Sequence, residues 1–322
     1  MNDFRGKLAV ITGGGTGMGR ELARQLAAEG CHLALCDVSV ATMTETKALC
    51  EAEAPAGTRV SIQCCDVSAE EQVLAFRAAV QAAHATDRIQ LLFNNAGIGG
   101  GGSMIADDRA EWDKTFGVCW GGVYFCTRAF LPMLIASDEA VIVNTSSVNG
   151  FWACLGPRTA HTAYSAAKFA VKGFSEALIT DLRLHAPHVK VSVVMPGHIG
   201  TSIVMNTNRV LRNGDIGSMS AEDVARLRGM LSLRGLPVDA MSDDELRAAM
   251  EQIAIMFRDH APTTAARAAT IILDGVRAGE WRILVGEDAV ALDRAVRAEP
   301  AIAYEERFAQ ALQAEGHMRL IG

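Results

Sequence analysis

The sequence predicts a doubly wound α/β fold, Rossmann-like, with about seven parallel strands and helices on both faces. Three observations lead there. Short apolar runs alternate along the chain with longer amphipathic segments. Those runs are apolar throughout, as strands covered on both faces are. The composition is 50% hydrophobic and only 6% aromatic, with 30 glycines, which suits close helix–sheet packing.

The elements follow in order. Residues 8–11 read as a buried strand, and 18–29 as a helix with Leu22, Ala23, Leu26 and Ala27 on one face. Strands at 33–36 and 60–64 flank a helix at 40–53, and a helix at 69–84 leads to a strand at 89–93. A long helical region at 108–136 precedes a strand at 140–144, a helix at 162–184 and a strand at 190–195. The pattern then loosens. Residues 197–260 hold loop signals at Asn213-Gly214-Asp215 and Gly235-Leu236-Pro237, and helix-like pieces near 220–231 and 242–259. Ser242 and Glu245 form a capping-box start for the second piece. A helix at 263–278 and a strand at 282–285 resume the alternation. The organisation expected is one domain over 1–322, with a helical insertion at 203–260 and a helical tail at 287–322.

Several function classes lose ground early. A formal charge of −7 opposes binding to nucleic-acid phosphates. The eight cysteines form no CxxC and mostly sit in apolar runs, so they read as buried, reduced thiols of a cytoplasmic protein. No Cys/His cluster suggests a metal site. The N-terminus lacks a signal-peptide apolar region. The greasiest stretch, 116–136, is interrupted by Arg128 and Pro132, short of the roughly 18 apolar residues of a membrane span.

Chemistry enters with Thr12-Gly13-Gly14-Gly15-Thr16-Gly17-Met18-Gly19, lying between a strand and a helix. There the backbone can approach a pyrophosphate, and the helix N-terminus offers free N–H groups. Asp37 ends the second strand, where a carboxylate can accept hydrogen bonds from ribose hydroxyls and repels a 2′-phosphate. The alternative for Asp37 is a cap on the following turn. Tyr164 and Lys168 stand four apart and share a helix face.

The spacing Thr-Gly-x-x-x-Gly-x-Gly resembles the short-chain dehydrogenase/reductase family. So do Asp66-Val67, Asn94-Asn95-Ala96-Gly97, Ser146-Ser147, Tyr164-Ser165-Ala166-Ala167-Lys168 and Pro196-Gly197-His198-Ile199-Gly200-Thr201, in that order. The resemblance covers about 4–201 and 263–286. It implies an oxidoreductase that moves a hydride between a nicotinamide cofactor and an alcohol or ketone. Gly13, Thr16, Gly17, Met18 and Gly19 would form the phosphate turn. Asp66 and Val67 would contact the adenine, and Asn95, Ala96 and Gly97 would line the cofactor. Pro196, Gly197, Ile199 and Thr201 would lie at the nicotinamide end. Tyr164 would exchange the hydroxyl proton. Lys168 would hold the ribose and, with the oxidised nicotinamide, lower the Tyr164 pKa. Ser147 would polarise the substrate oxygen, with Ser146 a structural hydroxyl. Ser147 precedes Tyr164 by 17 residues, farther than is usual in the family, which implies an enlarged loop at 150–162.

The resemblance further implies NAD over NADP, because Val38 and Thr16 stand where phosphate-preferring members often carry Arg or Lys. Cys119 falls where the family often has an asparagine serving a proton relay. The substrate wall is expected from Asn149, Phe151, Trp152, Leu155, His198 and Met205, whose mostly apolar character suits a hydrophobic secondary alcohol or ketone. Residues 203–260 read as a substrate lid or a subunit contact. A homodimer or homotetramer is expected, with no nucleic-acid or membrane partner. Two other readings stay open. A non-catalytic NAD-binding redox sensor would keep the glycine turn but have no need of Tyr164 and Lys168. An extended-branch epimerase or dehydratase would usually show Gly-x-x-Gly-x-x-Gly.

Overall fold

In the computed structural model, which describes residues 1, 3–154, 159–233 and 235–314, the alternating pattern becomes one parallel sheet. Its strands are β1 (Leu8–Thr12), β2 (His32–Asp37), β3 (Val60–Cys64), β4 (Leu91–Asn94), β5 (Ala140–Thr145) and β6 (Val189–Pro196). A separate two-residue pair, β7 (Ile199–Gly200) with β8 (Thr263–Thr264), precedes β9 (Arg282–Val285). The main order is β3-β2-β1-β4-β5-β6-β9, every neighbour parallel. The chain reverses its winding between β1 and β4, so the C-terminal ends of those two strands diverge and open a crevice.

The helices are α1 (Gly17–Ala28), α2 (Val40–Glu53), α3 (Glu70–His84), α4 (Arg109–Phe116), α5 (Gly122–Ile135) and α6 (Thr162–His185). Beyond them lie α7 (Ile203–Arg212), α8 (Ala221–Leu233), α9 (Asp243–Asp259), α10 (Ala265–Ala278), α11 (Glu287–Ala298) and α12 (Glu306–Ala314). One sheet face is covered by Phe76, Phe130, Met133, Leu178 and their neighbours from α3, α5 and α6. The other face is covered by Leu22, Leu26, Ile272 and Leu273 from α1 and α10. Each such buried Leu or Ile contributes on the order of 2 kcal/mol, and every residue of β1 and β5 is buried to match.

Residues 203–260 close their own small core, with Val224, Leu246 and Ala254 surrounded by Met205, Met230 and Met250. The capping box at Ser242 forms as the sequence predicts: Glu245 N–H donates to Ser242 Oγ at 3.3 Å, and Ser242 N–H donates to Glu245 Oε2 at 2.7 Å. The tail helices α11 and α12 fold over Trp152, which is 2% exposed among Leu292, Phe308 and Leu312. Residues 315–322 of the expected tail lie outside the described residues.

Three expectations change. First, α7 was not legible. Its sequence, Ile203-Val204-Met205-Asn206-Thr207-Asn208, is β-branched and Asn-rich, so its helix propensity is poor and its contacts hold it. Second, α4 and α5 join through a π-helical stretch, Gly117–Gly121, into one 27-residue rod. That rod is long and apolar enough to cross a membrane by length and composition, but more than half of its most apolar window is buried inside the fold. Third, two of the eight cysteines are not fully buried: Cys64 is exposed and Cys154 half-buried.

His84, on α3, is 3% exposed, and its Nε2 lies 2.9 Å from Ser61 Oγ. Burial, then the positive Arg59 and the nearby His32, hold its pKa down at about 4. The unfolded ring titrates near 6.5, so its stabilising effect is complete above that pH and fades as pH falls through the folded value. Thermal unfolding followed from pH 7 to pH 4 is expected to lose on the order of 3 kcal/mol more in the wild type than in His84→Gln.

Candidate active site

The crevice between β1 and β4 is floored by the glycine turn. Thr12, the last residue of β1, accepts the Asn95 and Ala96 N–H groups on its Oγ1, both at 3.0 Å. Asn95 returns its amide to Thr12 O at 3.0 Å and Gly13 O at 3.3 Å. Two glycines have no substitute here. Gly13 has φ +65°, and a Cβ would stand 2.9 Å from the Ala96 Cα. A Cβ on Gly19 would lie 2.0 Å from the Gly13 carbonyl oxygen, so α1 can lean on the turn only through a bare backbone.

One cavity runs from this turn and collects Gly13, Thr16, Gly17, Met18, Asp37, Asp66, Val67, Asn95, Ala96, Gly97 and Thr201. At its Asp37 end, the carboxylate accepts Gly15 N–H at 3.0 Å and Ser39 N–H at 3.1 Å. Asp37 therefore caps the turn and also faces the cavity, with acceptor capacity left for hydroxyl donors. Asp66 pairs with Lys114 and accepts Ser68 N–H at 3.0 Å. Burial raises its pKa, but Lys114 and Ser68 outweigh that and hold it below the usual range.

Gly97 joins this cavity to the catalytic candidates. A Cβ there would be 3.6 Å from Lys168 Nζ and 3.8 Å from Cys119 Sγ. Lys168 is buried, donates from Nζ to Thr145 O at 2.8 Å, and lies 5.3 Å from the centre of the Tyr164 ring. Tyr164 lies beside the Ser147 hydroxyl, which accepts the Asn149 N–H at 3.1 Å. Ser146 instead donates to the Lys168 carbonyl at 2.7 Å, which fixes the turn of α6 that carries the lysine. Burial pushes the Tyr164 phenol above its ordinary value, with Ser147 acting in the opposite sense. Lys168 is held below its ordinary value, again by burial first. In this state burial, then the nearby Cys119, dominates the Tyr164 value. Cys119 lies in the π-helical stretch and donates to Ile98 O at 3.2 Å.

The remaining residues are placed differently. Pro196 ends β6, Gly197 N–H donates to Val285 O at 3.0 Å, and Ile199 is buried beneath α1 and α10. The expected substrate wall is largely structural. Trp152 donates to Ala303 O at 2.7 Å inside the tail core, and Phe151 packs beside it under the Arg282 guanidinium. Asn149 is buried and staples its own loop, donating to Trp152 O and Cys154 O, both at 3.1 Å. His198 meets Phe257 ring to ring, and its Nε2 lies 2.7 Å from the Phe257 carbonyl oxygen. Met205 packs into the 203–260 core. Leu155, also expected in the wall, lies outside the described residues.

Sequence reasoning missed three groups. Thr12 was read only as part of the turn. Asn94, Asn144 and Ser175 form a buried ladder that ties β4 and β5 to α6, with bonds of 2.8 and 3.0 Å. Asn206 and Arg209 of α7 line the cavity. Polar residues ending apolar strands were the available signal for the ladder.

A family model described as short chain dehydrogenase matches residues 7–211. A Mycobacterium tuberculosis protein with the provisional name oxidoreductase SadH is 35% identical over 293 residues, 91% of each chain. The crystal structure of a short chain dehydrogenase/reductase from Burkholderia phymatum in complex with NAD superposes with a TM-score of 0.73 at 30% identity, covering 94% of this chain and 96% of that one. A metagenomic short-chain oxidoreductase in complex with NADP gives a TM-score of 0.53 at 28% identity, covering 78% and 92%.

Gly19→Ala is expected to weaken nicotinamide-dinucleotide binding by about tenfold or more, a change of about 1.4 kcal/mol. Far-ultraviolet circular dichroism should stay unchanged. Fluorescence titration checks the first, and unaltered affinity would show that the close approach is not needed for binding.

Proposed function

The chain belongs to the short-chain dehydrogenase/reductase family, and on that premise we propose that it transfers a hydride between NAD and a hydrophobic secondary alcohol or ketone through Ser147, Tyr164 and Lys168. The observation that carries this is the meeting of those three side chains beside the glycine-turn cavity: Ser147 adjoins the Tyr164 phenol, and Lys168 Nζ lies 5.3 Å from the tyrosine ring centre.

The cavity suits a dinucleotide on its own terms. The bare backbone at Gly13 and Gly19 lets the turn and the start of α1 pack closely at the cavity floor, and the Asp37 carboxylate has acceptor sites to spare. The nicotinamide, when bound, supplies the hydride acceptor or donor and, oxidised, a positive charge. Everything else falls to the chain. Ser147 donates to the substrate oxygen and holds it toward Tyr164. Tyr164 takes the hydroxyl proton in oxidation and returns it in reduction. The neutral phenol favoured by burial is ready for the reductive direction, and oxidation needs the phenolate. Lys168 is anchored at Thr145 O and favours that phenolate once it forms. Ser147 and Lys168 are buried, and Tyr164 is half-buried beside them.

NAD is favoured over NADP by charge. A 2′-phosphate near Asp37 would meet a carboxylate already held by Gly15 and Ser39, with Val38 beside it in place of a cation. The NAD complex of the Burkholderia phymatum relative agrees with that preference, whereas the metagenomic relative carries NADP.

A panel of secondary alcohols tested with both cofactors checks the reading. The expected outcome is turnover with kcat/KM for NAD at least about tenfold above that for NADP, and a ratio that falls by about tenfold in Asp37→Asn. Equal or better use of NADP by the wild type would refute the cofactor assignment.

A further inference from the structure

We propose that α7 is a second wall of the dinucleotide site, in which Arg209 binds the diphosphate and Asn206 and Thr207 hold the helix over the bound cofactor. This rests on the nicotinamide-dinucleotide reading above and adds residues that no motif of the sequence contains.

The helix crosses the cavity. Asn206 and Arg209 line the same space as Gly13, Thr16, Gly17 and Asp37. It is fastened on both banks. Asn206 Nδ2 donates to Thr16 Oγ1 at 2.9 Å on the glycine-turn side. Gly99 N–H, on the loop after β4, donates to Thr207 Oγ1 at 2.7 Å. Thr16 is the N-cap residue of α1, yet its side chain makes no bond to the helix backbone. Its hydroxyl is engaged by Asn206 instead, so the first amides of α1 stay available to a ligand. The first turn of α1 carries no acidic residue that would compete.

Arg209 adds the charge. Its guanidinium donates through Nε to Asp215 Oδ1 at 2.5 Å and through Nη1 to Asn206 Oδ1 at 3.5 Å. A guanidinium has five N–H donors, so these contacts orient it and leave donors for phosphate oxygens. The cavity thus has a carboxylate at the Asp37 end and a cation on the α7 wall. That arrangement fits hydroxyls at the first place and a diphosphate at the second. The two hydrogen bonds that fasten α7 hold it against the cavity, so the dissociation rate of a diphosphate bound between the turn and Arg209 should depend on their opening.

The test uses the full chain, with ADP and adenosine as probes and NADH release followed by stopped-flow fluorescence. Arg209→Gln is expected to weaken ADP by about tenfold and leave adenosine within about twofold, with Arg209→Lys recovering part of the loss. Asn206→Ala and Thr207→Val should each speed NADH release by about tenfold, with thermal unfolding like that of the wild type. Equal effects of Arg209→Gln on ADP and adenosine, or release rates unchanged in both α7 variants, would overturn the assignment of α7 while leaving cofactor use intact. Failure of the wild type to bind either NADH or NADPH would instead overturn the functional reading itself.

Discussion

The site depends on the clasp between Thr12 and Asn95 where the sheet reverses its winding. β1 and β4 are hydrogen-bonded neighbours whose chains leave in opposite directions, so nothing regular joins them past Thr12 and Asn94. The threonine hydroxyl accepts two amides from one side, and the asparagine amide returns to two carbonyls from the other. Each bond is worth on the order of 1 kcal/mol net, but leaving any of them unmade in this partly buried crevice would cost more. With the clasp in place, Gly13 sits against Ala96, α1 leans on the turn through Gly19, and the cavity between Asp37 and Gly97 has a fixed floor.

The catalytic candidates are positioned from the next strand along. β5 ends in Thr145, whose carbonyl takes the Lys168 ammonium, and in Ser146, whose hydroxyl holds the Lys168 backbone. The Asn94–Asn144–Ser175 ladder locks β4, β5 and α6 at one height below them. Burial then sets the electrostatics: the phenol is pushed toward its neutral form and the ammonium is made easier to deprotonate. A charge arriving beside these poorly solvated groups acts strongly on both, which is what the proposed use of Tyr164 as acid and as base requires.

Much of this was legible in the residues. The sheet could be read because its strands are apolar on both faces, and α6 because Tyr164 and Lys168 share its face. The glycine turn could be read because its strand-to-helix setting is short and local. What resisted reading is held by distant contacts. The helix α7 has poor local propensity and is held by the packing of Val204, Met205, Val210 and Leu211, with bonds to Thr16 and Gly99, far away in sequence, added to it. Trp152 reads as pocket wall because it lies in the apolar loop after Ser147, but its partners are Ala303 and Phe308, about half the chain away.

The central claim is that Tyr164, set by Ser147 and Lys168, works with a hydride transfer at this site. It is tested most directly with a secondary alcohol carrying deuterium on the carbinol carbon, incubated with NAD and the full chain, and mass spectrometry of the recovered nicotinamide. Deuterium is predicted in the reduced cofactor with the wild type and none with Tyr164→Phe that still binds NAD. Tight NAD binding with no deuterium transferred from any alcohol of the panel would contradict the account.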